Sequence, residues 1–229
     1  MLIKSGLVTQ MSGSIGGMTG SHNKGGMYLR ARAVPVNPNT AQQVAVRSIV
    51  SDLSNRWANT LTAPQRAAWD VYALNVPLTG PLGDPRQVSG LNMYVRSNVP
   101  IVQSGLSRVD GAPTIFDLGE YTPPTVDAVD SANTEVDIAF TNTDDWANED
   151  GAAMLVFASR PQNQSKNYFK GPYRYAGRIN GNGTTAPTSP ASIALPFPVG
   201  VGEKLFVRLS VVRADGRLST PIFLSGTGA

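Results

Sequence analysis

The chain has no cysteine, which removes disulfides, thiolate metal sites and cysteine nucleophiles together and leaves the redox compartment open. Its single histidine, His22, means that no catalytic triad or two-histidine metal site can be completed within one copy. His22 lies in a glycine-rich run with nothing nearby to fix its ring, and is read as an incidental polar residue. Charged side chains make up 15% of the chain, below the usual quarter, so much of the surface must be polar without charge or covered by neighbours. No apolar stretch approaches the ~20 residues of a membrane span. The opening Met1-Leu2-Ile3-Lys4-Ser5-Gly6 lacks the apolar core of a secretion signal. A soluble protein outside the standard export route is expected.

Acid is missing locally. Residues 1–51 carry Lys4, Lys24, Arg30, Arg32 and Arg47 and no acidic side chain. Residues 120–150 reverse this, with Glu120, Asp127, Asp130, Glu135, Asp137, Asp144, Asp145, Glu149 and Asp150 and no base. Opposite charges on separate segments suit head-to-tail contact between copies, where complementarity sets register more than affinity. Two ordinary solvated faces account for the same pattern.

What is present is turn-forming: 23 glycines and 17 prolines in 229 residues, with an apolar content of 41% that excludes wholesale disorder. Residues 1–36 are too glycine-rich and too poor in apolar surface to offset their own ordering entropy. They are read as an extended arm held by something else, with one or two short strands near Met27–Val34. A small helical domain follows over 37–105. Val46, Ile49, Val50, Leu53 and Trp57 recur at helical spacing, after Asn39 or Thr40 as cap. Thr62-Ala63-Pro64-Gln65 is a capping box opening a second helix with Ala68, Trp69, Tyr72 and Val76 on one face. Pro77 to Val88 is dense in breakers and reads as loop. Ser89 opens a third helix through about Asn98, limited by Pro100. Trp57, Trp69, Tyr72 and Tyr94 supply the core of this unit, and Arg66 and Arg96 are assigned to Asp70, Asp52 or carbonyls.

A linker over 106–124 leads to residues 125–229, where the apolar period shifts from 3.6 to 2. Val136, Ile138 and Phe140 alternate with polar residues, as do Leu205, Val207, Leu209 and Val211, and Met154–Ala158 is a continuous apolar run. Asp215-Gly216 marks a hairpin turn. Strands near 126–130, 172–179 and 193–197 bring the count to about seven, which predicts an immunoglobulin- or fibronectin-like β-sandwich. The fold class is therefore α+β.

Sites with chemistry fare poorly. The repeated glycines from Gly13 to Gly20 lack the Gly-Lys-Ser/Thr and following helix of a phosphate loop. The loop Asp144–Gly151 lacks the alternating spacing of a calcium loop, and its adjacent carboxylates hold no fixed separation for glycoside hydrolysis. Tyr28 beside Arg30 and Arg32 permits nucleic-acid contact, but the basic density is low and the rest of the chain is read as neutral to acidic. No enzyme, metal or cofactor is expected.

Gly25-Gly26-Met27-Tyr28-Leu29-Arg30-Ala31-Arg32 and Pro35-Val36-Asn37-Pro38-Asn39-Thr40-Ala41-Gln42-Gln43 carry a resemblance. Leu61-Thr62-Ala63-Pro64-Gln65-Arg66-Ala67-Ala68-Trp69 and Ser89-Gly90-Leu91-Asn92-Met93-Tyr94 continue it. Over residues 12–105 the chain resembles a group of uncharacterised phage and prophage virion-associated structural proteins. That implies a virion protein made in the host cytoplasm, and the expected role is a capsid decoration (cement) protein. Its partners would be coat or other virion proteins, with a homo-oligomer, most simply a trimer, at the docking site. Lys24, Tyr28, Arg30 and Arg32 are the expected assembly contacts, and Asp144, Asp145, Glu149 and Asp150 the expected acidic counter-surface. The alternative is a tail or adsorption component whose sandwich binds carbohydrate through Trp146 or Tyr168, Tyr173 and Tyr175.

Overall fold

The computed structural model describes residues 12–23, 26–34, 36–79 and 85–229. It contains three helices and twelve strands in four antiparallel sheets, a mixed α+β chain with substantial β content. Two compact units, residues 1–41 and 42–229, divide it.

The first unit holds a meander of β1 (Gly13–Ile15), β2 (Met18–Asn23) and β3 (Gly26–Ala31), paired in that order. Three strands thus stand where the glycine content suggested an extended arm with one or two. Gly16-Gly17 forms a two-residue hairpin turn, with Gly16 at φ +56°, and brings Ile15 opposite Met18. The pairing rests on backbone hydrogen bonds, which need no side chains. Of the described residues from 12 to 34, Gly20 alone is buried.

The second unit begins with α1 (Ala41–Asn59) and α2 (Ala63–Asn75). The α2 capping box forms as expected: Gln65 N donates to Thr62 Oγ1 at 3.4 Å and Thr62 N donates to Gln65 Oε1 at 2.9 Å. A cap of this kind contributes about 1 kcal/mol. Ala68 is exposed, and Ala73 takes its place beside Trp69 and Tyr72 on the buried face. Within 77–88, β4 (Leu78–Thr79) and β5 (Pro85–Arg86) make a short pairing.

The third helix, α3 (Gly90–Gln103), is capped by Ser89 and runs through Pro100 instead of stopping before it. Proline removes the bond its N–H would make to Arg96 and costs ~3 kcal/mol in a helix interior. The last turn is retained because it carries Ile101 into a buried position against the β-sheet, while Ser104 caps the end. Gly90 N donates to Asp70 Oδ1 at 2.9 Å, and a Cβ at Gly90 would lie 2.7 Å from the backbone nitrogen of Asp70. Only glycine lets α3 start this close to α2.

The expected aromatic core is present between the helices. Trp69 meets Tyr94 and Tyr72 edge-on at 5.5 and 5.7 Å, and Trp57 lies 5.7 Å from Tyr94. Arg66 donates to the carbonyls of Trp57 and Ala58, within the range of partners expected for it.

Residues 125–229 supply β6 (Thr125–Asp130), β7 (Glu135–Ala139), β8 (Ala153–Ala158), β9 (Arg174–Asn180), β10 (Ala191–Ala194), β11 (Lys204–Val212) and β12 (Ile222–Thr227). They form a three-stranded sheet, β10-β7-β6, and a four-stranded sheet, β12-β11-β8-β9. One core draws on both sheets, with Val136, Ile138, Met154, Val156, Val207 and Leu209 fully buried. The opposite face of the larger sheet packs Leu155, Phe157 and Val212 against Ile101 of α3. Burial on two faces explains why β8 reads as a continuous apolar run instead of alternating.

Segment 106–124 is fastened on both sides. Buried Asn98 bonds both main-chain groups of Val109, donating to its carbonyl at 3.0 Å and accepting from its N–H at 2.7 Å. Arg56 grips Asp110 with two bonds of 3.0 and 2.7 Å, Tyr94 donates to the same carboxylate at 3.1 Å, and Trp69 Nε1 donates to the Asp110 carbonyl at 3.0 Å. From the other side, the hairpin residues Arg213 and Arg217 donate to the carbonyls of Leu118 and Asp117 at 2.6 and 2.7 Å.

Candidate functional site

Three regions carry the residues singled out above. In the N-terminal unit the register sorts side chains by face. Thr19 stands opposite Ser14 and Arg30, and Ser21 opposite Tyr28, on one face. Ile15, Met18 and Ala31 align on the other. The strand period of two therefore gives a hydroxyl-and-cation face backed by an apolar one. That apolar face is uncovered: Ile15 is 86% exposed and Met18 50%. Arg30 and Arg32 are exposed and Tyr28 is half-buried, while Lys24 lies outside the described residues.

Of the four acids expected to form a counter-surface, Asp145 and Asp150 are exposed, Glu149 is half-buried and Asp144 is buried. Asp144 is 1% exposed, and accepts from Thr122 N at 2.9 Å and Thr122 Oγ1 at 3.0 Å. A carboxylate spent on main-chain and hydroxyl donors inside the fold cannot meet another copy. Asp145 accepts from Glu120 N at 3.0 Å and faces Arg213 at 3.5 Å, and Glu149 pairs with Arg213 Nε. Asp150 accepts from Gly183 N at 2.9 Å. Each of the four also bonds within the fold, and only Asp144 is withdrawn from the surface by burial. Trp146, a candidate carbohydrate contact, is fully buried against Phe140 at 5.2 Å between ring centres. The described residues contain no group of three or more His, Asp or Glu side chains set to hold a metal ion.

The third region is read from sequence through its tyrosines alone, without its arginines and phenylalanines. It is the half of the four-stranded sheet's outer face that α3 leaves open. Cross-strand register places Phe223, Arg208, Phe157 and Tyr175 in one row across β12, β11, β8 and β9. The Arg208 guanidinium lies 4.1 Å from the centre of the Phe157 ring and 5.9 Å from that of Tyr173. Burial lowers its pKa below the usual arginine value, and its Nε is buried with no hydrogen-bond partner. Tyr168, Phe169, Lys170, Tyr173, Phe206 and Phe223 line a cleft of about 320 Å³ beside it. Tyr168 is 72% exposed and Phe223 58%. Of the aromatic candidates named from sequence, Tyr168 and Tyr173 do share this cleft, and Tyr175 sits in the adjoining row.

The signal for this face was available as charge. Residues 151–212 hold seven bases, Arg160, Lys166, Lys170, Arg174, Arg178, Lys204 and Arg208, against one acid, Glu203. Because they are spaced along strands and loops, no run of like charge announces them. Comparison with protein-family models, curated proteins and solved structures finds no match to the chain.

Proposed function

We propose that the protein is a non-catalytic assembly component of a bacteriophage particle, in the first place a capsid decoration (cement) protein that docks through its N-terminal sheet. The observation that supports this most directly is the uncovered apolar pair Ile15 and Met18 at the β1–β2 turn, in a unit separate from residues 42–229. A bare apolar sheet face is unfavourable in water and stable once a partner covers it, and β1 at the sheet's edge offers backbone groups to an added strand. Tyr28, Arg30 and Arg32 would contribute the polar contacts of the same sheet.

In this reading residues 125–229 form an immunoglobulin- or fibronectin-like sandwich. Seven antiparallel strands, a three-plus-four division and a core shared by the two sheets support it. α1 also leaves Val44 and Val50 exposed, and a seat on a shell of coat subunits would suit closed symmetry such as a trimer. The reading also treats the chain as no enzyme, since exposed His22 on β2 has no built surroundings.

Two measurements test it. A chain lacking residues 1–36 is expected to keep the melting behaviour of the body and to lose binding to particles; normal decoration by the shortened chain overturns the proposal. Quantitation of the chain in purified particles places it: copies in the hundreds indicate the shell, and about six or twelve a tail or vertex position.

A further inference from the structure

We propose that the open half of the four-stranded sheet's outer face binds an acidic polysaccharide, Arg208 and Arg174 taking a sugar carboxylate and the Tyr168–Phe223 cleft taking a neighbouring ring. This site is independent of the docking sheet and stands whether or not the chain decorates a shell.

The charge argument comes first. Arg208 is a partly desolvated cation with an unpartnered Nε, and no acid among the described residues pairs with it. Desolvating a cation without a counter-charge is costly, and an incoming carboxylate with two oxygens offsets the cost by charge-assisted hydrogen bonds. The cleft of about 380 Å³ in front of Arg208 is lined by Arg47 and Arg174 and by the amides of Gln42, Gln43 and Gln103. No carboxylate among the described residues lines it, and Arg208 and Arg174 are the cations assigned to the ligand. Lys166, Lys170, Arg174 and Lys204 around the two clefts likewise pair with no acid among the described residues.

The aromatic argument selects the ligand among anions. Tyr173 lines both clefts, so they are neighbours, and a ligand anchored at Arg208 would reach Tyr168, Phe169 and Phe223 by passing over Tyr173. Those rings are crossed: Phe169 meets Tyr173 at 83° and Tyr173 meets Phe223 at 49°. Successive bases of a single strand need a series of open stacking platforms. A pyranose needs one apolar wall for its C–H face and polar groups around its rim, and a pocket with aromatic walls and a few placed donors meets that need. The paired clefts therefore fit adjacent residues of a carboxylated glycan better than a nucleic acid.

The test is calorimetric titration of the full chain with three acidic oligosaccharides, containing galacturonate, glucuronate or sialate, each against its methyl ester. Oligothymidylate serves as the nucleic-acid probe. At least one acidic oligosaccharide is expected to bind about tenfold or more tighter than its ester, and to weaken as salt rises. Arg174→Gln and Tyr168→Ala are each expected to weaken binding about tenfold with unchanged melting, because Tyr168 is exposed and Arg174 only half-buried. Arg208→Gln is expected to do the same, and if it impairs folding the two surface variants carry the test. Equal affinity for acid and ester, no binding by any of the three, indifference to both surface variants, or tighter binding of oligothymidylate at the same site overturns the proposal.

Discussion

Residues 13–31 and residues 125–229 are both antiparallel β structure, yet they solve the same problem in opposite ways. The N-terminal sheet pairs its backbone and leaves its side chains bare, with Ile15 and Met18 uncovered. The C-terminal sheets share a buried apolar core, and α3 covers part of the larger sheet's other face as well. Hydrogen bonds are exchanged for those with water on folding and add only about 1 kcal/mol each, so a sheet without burial is weakly held. The difference separates a part held by a buried core from a part held by its backbone pairing.

That contrast can be broken by experiment, most forcefully in the body. Arg213→Met removes a buried guanidinium from Glu149, Asp145 and the Leu118 carbonyl together. It is expected to cost about 3–5 kcal/mol of unfolding free energy in denaturant titration. Asn98→Ala strands both main-chain groups of Val109 and is expected to cost about 2–3 kcal/mol. Gly90→Ala forces α3 away from Asp70 and is expected to cost about 1–3 kcal/mol, read as a lowered melting temperature.

The effect of pH is smaller and signed. Hydrogen bonding from Arg56 holds the Asp110 carboxyl below the usual carboxylate range. Its contribution is present above the unfolded value of about 3.9 and is lost as pH falls through the folded value. Unfolding free energy measured from pH 5 down to 2 should therefore fall more steeply for the wild type than for Asp110→Asn. At the alkaline end, burial first and then the Asp110 charge push the Tyr94 hydroxyl up to about 12. The stability linked to its neutral form should be lost as pH rises from about 10 through that value.

The smallest effect sharpens the contrast from the other side. Ile15→Asp with Met18→Asp is expected to change the body's stability by less than about 0.5 kcal/mol while abolishing particle binding. A large loss of stability would show that the N-terminal unit belongs to the body's cooperative fold.

Much of this architecture was legible because its causes are local. The Thr62–Gln65 box lies within one turn, and the strands announce themselves by alternation or, for β8, by an unbroken apolar run. What escaped depends on distance along the chain. Nothing near Pro100 says that Ile101 will find Leu155 and Phe157, so α3 looked shorter than it is. Asp144 sits in a hydrophilic stretch, and its burial follows from Thr122, twenty-two residues earlier. The basic row was hidden for the same reason. Phe157, Tyr175, Arg208 and Phe223 are separated in sequence and become neighbours only through the register of four strands.

The turn at 213–217 has a consequence in time as well as in space. Gly216, at φ +94°, lets the chain reverse so that Arg213 and Arg217 reach carbonyls 95 and 100 residues upstream. During synthesis the helices and the 106–124 strap emerge first, at about 5–20 residues per second. The bonds to the helices need only residues already made, but those to the Asp117 and Leu118 carbonyls wait several seconds until the two arginines arrive. A nascent chain that stops before residue 213 lacks both of these bonds, so the far side of the strap is the last part of the body to be secured.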